Sequence, residues 1–243
     1  MHHARPIVLV LACVVAAGVV TGTRAAGPET YALDPVHTRV MFAVGHAGFS
    51  SAIGTVSGST GTLLFDREDW RSARLDVRVP VARLDLGDAK WNAATLAANL
   101  LDGARHPEAR FVSTTVEPAA ADHARVCGHL TLRGVSRPLC MDVVLNALKR
   151  HPLPPFRHTA GFSATATLSR SDYGIDAWAS MIGDKVEIRI EAEAVHSNRT
   201  GRAVDDTHPT TEPFTPEPVA PESAADPSAP TAPKPTADPA ACC

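Results

Sequence analysis

The chain has 243 residues, with 23 Lys and Arg against 26 Asp and Glu, and a formal net charge of -3 at pH 7. The carboxylate excess sits in the stretch from Gly201 onward, where seven Asp and Glu face only Arg202 and Lys234. The body is therefore near neutral, which argues against nucleic acid as a partner.

The opening MHHARPIVLVLACVVAAGVVTGTRAAG sets Arg5 before an apolar run from Ile7 to Val20, with small residues around Ala25. That is the layout of a secretory signal peptide, residues 1–25, cut after Ala25; the run is short for a membrane span. Residues 27–198 have the length of one domain. From 200 to 243 the composition changes: ten of the chain's 20 prolines lie there among Ala, Thr and Ser. Such a segment cannot bury a core, and a disordered acidic tail is expected. Its last two residues, Cys242 and Cys243, are read either as a pairing point for another chain or as an exposed end with no role.

Alternating segments then follow in chain order: His37–His46, Ile53–Phe65 and Ala73–Ala82, joined by turn-rich stretches such as FDREDW. One interruption comes next. In Gly87–Gly103, Trp91, Thr95, Ala98 and Leu101 fall at helical spacing and Gly103 can end the helix. Alternation resumes in Glu108–Glu117, His123–Arg133, Pro138–Lys149, His158–Arg170 and Asp184–Val195. Within VCGHLTLRGVSRPLCMDVVL, Leu130 and Leu132 alternate with His129, Thr131 and Arg133 before a turn bracketed by Gly134 and Pro138. Cys127 and Cys140 lie on the two arms, close but with the register open by a residue or two, so a disulfide between them stays an open alternative.

Short joints suit antiparallel neighbours. The expected fold is all-β: an eight-stranded antiparallel barrel with one short helix inserted between strands three and four, a two-sheet sandwich being the alternative. Parity gives each strand an apolar stripe: Val40, Phe42 and Val44; Leu63 and Phe65; Leu75, Val77 and Val79; Phe162, Ala164, Ala166 and Leu168; Val186, Ile188 and Ile190. Alanine and glycine recur where a filled core would use larger residues, as in a wall that leaves a lumen. The residues assigned to that lumen are Val40, Phe42, Val44, Phe49, Leu63, Phe65, Val77, Phe111, Phe162, Leu168 and Ile188.

Polar candidates are few. His37 and His46 are nine residues apart, on opposite faces of a regular strand, with no acidic or cysteine partner at ligand spacing, so no metal site is assigned. His37 is placed at a barrel end as a hydrogen-bonding residue that can meet a ligand head. Arg170 and Tyr173 have two readings: contributors to the mouth, or members of a turn in which Gly174 is left-handed, Asp172 bonds its own backbone and Arg170 pairs with a carboxylate. No nucleophile signature is present, and no catalytic residue is assigned.

These residues carry a family likeness. Tyr31, Asp34, Pro35, His37, Thr38, Phe42, His46, Gly48 and Ser50 in YALDPVHTRVMFAVGHAGFS, then GHLTLRGVSRPL from Gly128, SRSDYGID from Ser169 and IGDKVEIRIEAE from Ile182, resemble the YceI-like family of exported proteins. The likeness runs from Thr30 to Glu193. It implies a lipocalin-like barrel in the bacterial periplasm whose apolar lumen binds a polyisoprenoid or similar long-chain amphiphile, an isoprenoid quinone among them. It implies no enzyme activity and no cofactor beyond the bound lipid. It leaves homodimerisation and peripheral contact with a membrane open. Where the family pattern has an aromatic-Asp this chain has Leu101-Asp102, and His106 replaces a Tyr before Pro, so ligand access is expected to differ there. The alternative function is a structural or interaction module of the cell envelope with a filled barrel.

Overall fold

The computed structural model describes residues 27–197. The signal peptide expected at 1–25 and the tail expected at 200–243 lie outside the described residues. β1 (Glu29–Leu33) and β2 (Arg39–His46) form one strand broken by a turn, as do β3 (Ser50–Ser57) and β4 (Thr60–Phe65). β5 (Arg74–Pro80) passes through a short 3-10 turn into β6 (Leu84–Asp85). A helix, α1 (Ala89–Leu96), precedes β7 (Glu108–Pro118), β8 (His123–Leu132), β9 (Val135–Arg150), β10 (His158–Ser169) and β11 (Ile182–His196).

All pairings are antiparallel, and the last strand closes on the first through Tyr31 opposite His196 and Leu33 opposite Ala194. The eleven strand segments therefore make eight strands of one closed barrel with one helix between the third and fourth. Closure leaves no second sheet for a sandwich. β11 meets β1 and also runs along β2, from Val186 opposite Val44 to Glu191 opposite Arg39.

The break between β1 and β2 has a local cause. Asp34 Oδ1 accepts from the backbone N–H of Val36 at 2.8 Å and of His37 at 3.3 Å, and Pro35 has no N–H to give a ladder. Alongside it, Gly58 breaks the β3–β4 strand at φ 80°, which glycine tolerates without a steric cost, and its N–H donates to Pro35 O at 3.2 Å. The two bends are thus tied together.

Register carries the alternation around the ring. Val56, Val40, Ile190, Ala164, Val143 and Ala124 stand opposite one another in sequence across six strands on the inward face. Met41, Arg189, Thr165, Asp142 and Arg125 form the neighbouring outward row.

The helix is shorter than its spacing predicts. Asp88 caps it, accepting from Lys90 N at 2.9 Å and Trp91 N at 3.0 Å. It stops at Leu96 because Ala97 is extended, and the following turns are closed by Leu101 N to Thr95 O at 3.1 Å and Gly103 N to Leu96 O at 3.0 Å. That bend turns Leu100 and Leu101 onto the core, which a continuous helix would not do. α1 itself buries no residue.

The barrel has two distinct ends. The helix end holds the β2–β3 turn, α1, the Arg133–Gly134 turn and the loop before β11. The termini end holds the start of β1, the end of β11 and the loops at 66–73, 119–122 and 151–157.

Candidate functional site

At the termini end the interior is packed. Trp70, buried in the loop after β4, meets Phe65 edge-on at 5.1 Å between ring centroids, and Phe65 meets Phe162 at 5.6 Å. Tyr31, Val116, Val126, Leu145, Ala160 and Ala194 are buried around them. The Tyr31 hydroxyl donates to Glu29 Oε2 at 2.8 Å; burial first, and the carboxylate second, push the phenol above its ordinary range and keep it neutral.

From Phe162 toward the helix end the core continues through Leu139, Leu168, Tyr173 and Ile175, but burial of the inward side chains is uneven. Phe42, Val44, Leu130, Leu132, Val186 and Ile188 face inward yet are only half-buried. An inward apolar side chain of a closed barrel that still reaches solvent lines a lumen. One glycine keeps that lumen clear. Gly54 stands directly opposite Phe42, and a Cβ there would fall 2.3 Å from Phe42 Cζ. The phenyl ring therefore lies over the glycine, against the wall. At Gly128 an added Cβ would fall 2.2 Å from Val112 O and 2.7 Å from Cζ of the buried Phe111, so the close approach of backbone as well as ring requires a glycine.

Ten of the residues assigned to the lumen are on the inward face. Val40, Phe42, Val44, Val77, Phe162 and Ile188 are half-buried, while Leu63, Phe65, Phe111 and Leu168 are buried. Phe49 is a correction: it sits in the β2–β3 turn at 93% exposed. Ala47 and Gly48 both take positive φ and reverse the chain, so the parity of β2 does not carry through to it. Strand parity also passes over Trp70, which reaches the core from a loop, and over Leu100 and Leu101, which reach it from the turns after the helix and not from the helical spacing read there.

His37 is a second correction. It lies on the outer wall, in the turn between β1 and β2, opposite the stretch between Glu191 and Ala194 of β11, not at a barrel end. Its exposed ring binds Asp34 Oδ2 through Nδ1 at 2.8 Å, as a hydrogen-bonding role requires. Burial alone would raise the Asp34 carboxyl, but hydrogen bonds from His37 and from the Val36 and His37 amides hold it below the usual carboxylate range. The hydrogen bond from His37 to Asp34 in turn raises the imidazole above its ordinary value.

Arg170 and Tyr173 are buried, at 6% and 2% exposed. Among the described residues Arg170 pairs with no carboxylate. Its guanidinium donates to the carbonyls of Gly183, Ala177 and Ile182, each at 2.9 Å, and to that of Ile175. The turn holds Gly174 left-handed at φ 67°, as expected, but the carboxylate that takes its backbone is Asp184, from Ser171 N at 3.0 Å, in place of Asp172.

At the helix end Trp91 tilts against His46 at 5.5 Å between ring centroids, and Arg133 donates to Ala98 O at 2.9 Å and to Gly174 O. Arg133 thus ties the segment after α1 to the loop after β10. Asp102, at the divergent Leu101-Asp102 pair, is buried and meets Arg105 at 2.5 Å. Cys127 and Cys140 stand directly opposite in register and are joined by a disulfide on the outer face. Among the described residues no three of His, Cys, Asp and Glu gather to hold a metal ion.

The YceI-like domain matches residues 31–194, most of the chain and nearly all of the barrel. This chain belongs to the YceI-like family. Among relatives, a UPF0312 protein of Pseudomonas savastanoi pv. phaseolicola is 34% identical over 139 residues, covering 57% of this chain and 71% of that protein. A UPF0312 protein of a Shewanella species is 28% identical over 180 residues, covering 73% and 93%. Solved structures share the fold. Burkholderia cenocepacia BcnA superposes with a TM-score of 0.60 at 21% identity, covering 66% of this chain and 98% of that one. A polyisoprenoid binding domain from Saccharophagus degradans, implicated in plant cell wall breakdown, gives 0.52 at 14% identity, covering 70% and 99%.

Proposed function

We propose that this YceI-like chain is a periplasmic binding protein that holds a polyisoprenoid or similar long-chain amphiphile, an isoprenoid quinone among the candidates, in its lumen. The observation that carries the reading is the half-buried apolar wall from Phe42 to Leu132, plugged at one end by Phe65 and Trp70. A slender apolar chain laid along this wall would cover the side chains that the barrel itself leaves half-buried. Burial at about 25 cal/mol per Å² supplies affinity with little polar chemistry. The kinship with a polyisoprenoid binding domain supports the same ligand class. The reading needs no catalytic group. The exported address rests on the apolar run and small-residue cut site at the N-terminus.

Native mass spectrometry of protein purified from its own envelope, with lipid extraction, tests both parts. A co-purifying prenyl or long-chain mass on a chain that begins near Ala26 is expected. A ligand-free mass, with no uptake of added prenyl lipid, overturns the binding role in favour of a filled interaction module. Retention of Met1 on a membrane-embedded product overturns the address.

A further inference from the structure

We propose that the tip of the β9–β10 hairpin docks on the surface of an anionic lipid bilayer, a role separate from the lumen. β8 leaves β9 at Val144, opposite His123, whereas β9 and β10 stay paired as far as Arg150 and His158. The hairpin therefore projects beyond β8 at the termini end, while β11 accompanies β10 as far as Thr159, opposite Val195. Its tip carries Leu153 at 64% and Phe156 at 49% exposed. The turn is set by Phe156 N donating to Leu153 O at 2.9 Å and His151 N to Arg157 O at 2.8 Å.

Behind these two side chains stand Lys149, Arg150 and Arg157, all exposed. From Lys149 to His158 there is no Asp or Glu. Among the described residues none of the three cations enters an ion pair, whereas Arg78, Arg110, Arg125 and Arg189 on the barrel's outer wall each meet a carboxylate. Arg39, Arg74 and Arg137 on the wall likewise enter no ion pair among the described residues, so what sets the tip apart is a cationic stretch without any Asp or Glu beside exposed apolar side chains. Apolar side chains leading, with unpaired cations just behind, is the order of charges and depths at a lipid surface: Leu153 and Phe156 below the headgroups, the cations level with the phosphates. A polyanion in solution would need the cations alone. Pro152, Pro154 and Pro155 restrict the tip before contact, so less freedom is lost on insertion.

Sedimentation of the full chain with vesicles tests this. Binding should require phosphatidylglycerol, be weak on phosphatidylcholine alone, and fall as salt shortens the Debye length from about 10 Å at 0.1 M to about 3 Å at 1 M. Replacing Lys149, Arg150 or Arg157 by Gln should weaken it about fivefold each. Leu153→Ser with Phe156→Ser should abolish it while leaving the melting curve and the lumen ligand unchanged, since both side chains are exposed. Phe156→Trp should bind and show a blue-shifted emission on the anionic vesicles. Absence of sedimentation, or equal sedimentation on neutral vesicles by wild type and every variant, overturns the proposal. So does a self-associated form lost in the Ser variant, which would assign the tip to a second copy, or salt-sensitive retention on an acidic polymer without vesicle binding. None of these results bears on the lumen, so the two readings fail separately.

Discussion

Replacing Gly54 by Val would set a Cβ 2.3 Å from Phe42 Cζ, and the ring is the part free to yield. It would swing from the wall into the lumen. Gly54→Val should therefore reduce bound lipid or select shorter chains with only a modest fall in Tm, read by mass spectrometry and calorimetry on one preparation. The complementary change, Phe42→Ala, costs about 3 to 5 kcal/mol in a filled core. Because Phe42 is only half-buried, the loss should fall below that range and the effect should appear in ligand preference. Phe42→Asp should abolish retention, since an unpaired carboxylate in an apolar cavity is strongly disfavoured. A full core-type loss from the Ala change, with no lipid in the wild type, would mean the interior is filled. On the outer wall, Asp34 and His37 give a pH test. The His37 contribution to stability is complete below its unfolded pKa of about 6.5 and is lost as pH rises through the raised folded value. The Asp34 contribution is complete above about 3.9 and is lost as pH falls through the lowered folded value. The Tm difference between wild type and His37→Ala should therefore be greatest near about pH 5 and shrink in both directions. A difference flat across that range would show that the pair adds nothing.

Among the elements, the loop between β10 and β11 depends on one side chain. Arg170 fastens four carbonyls, the buried one of Ile175 and the half-buried ones of Ala177, Ile182 and Gly183, and removing the guanidinium takes the donor from each. Arg170→Met should cost about 1 to 3 kcal/mol and speed amide exchange in residues 174–183. Arg170→Lys should recover little, because an ammonium lacks the fork that reaches four acceptors. Unchanged exchange in that loop would count against the staple. Nothing in SRSDYGID distinguishes a carboxylate partner from carbonyls, since those carbonyls belong to a loop whose path the sequence does not encode. Strands were legible for the opposite reason. Alternation in Phe162–Leu168 or Val186–Ile190 is enforced by burial of one face, so parity alone places each side chain inward. The same logic fails wherever positive φ resets the phase, as at Ala47 and Gly48 before Phe49, and where helical spacing runs on past the extended Ala97. Gly54 lies inside an alternating strand, and only the register that sets it opposite Phe42 gives it a use.

At the scale of the molecule, one closed barrel carries two regions of different chemistry: the apolar inward faces of its strands and the basic, apolar-tipped hairpin at the termini end. The ring is shut by residues from the two extremes of the domain, Tyr31 beside His196 and Leu33 beside Ala194. β11 also supplies the edge on which β2 rests. No closed barrel can exist until this last strand has been made. Until then β2 and β10 both present unpaired edges, and the apolar wall lies open to other chains. Loop closure over such a span is slow compared with hairpin formation. A chain ending before Ile182 should remain an aggregating, lumenless sheet, detectable by light scattering and by loss of bound lipid. A soluble, lipid-holding product of that truncation would refute this. The order of assembly has a further consequence: a ligand present while β1 still awaits β11 meets the wall as an open trough, so loading during folding needs no passage through the finished mouth.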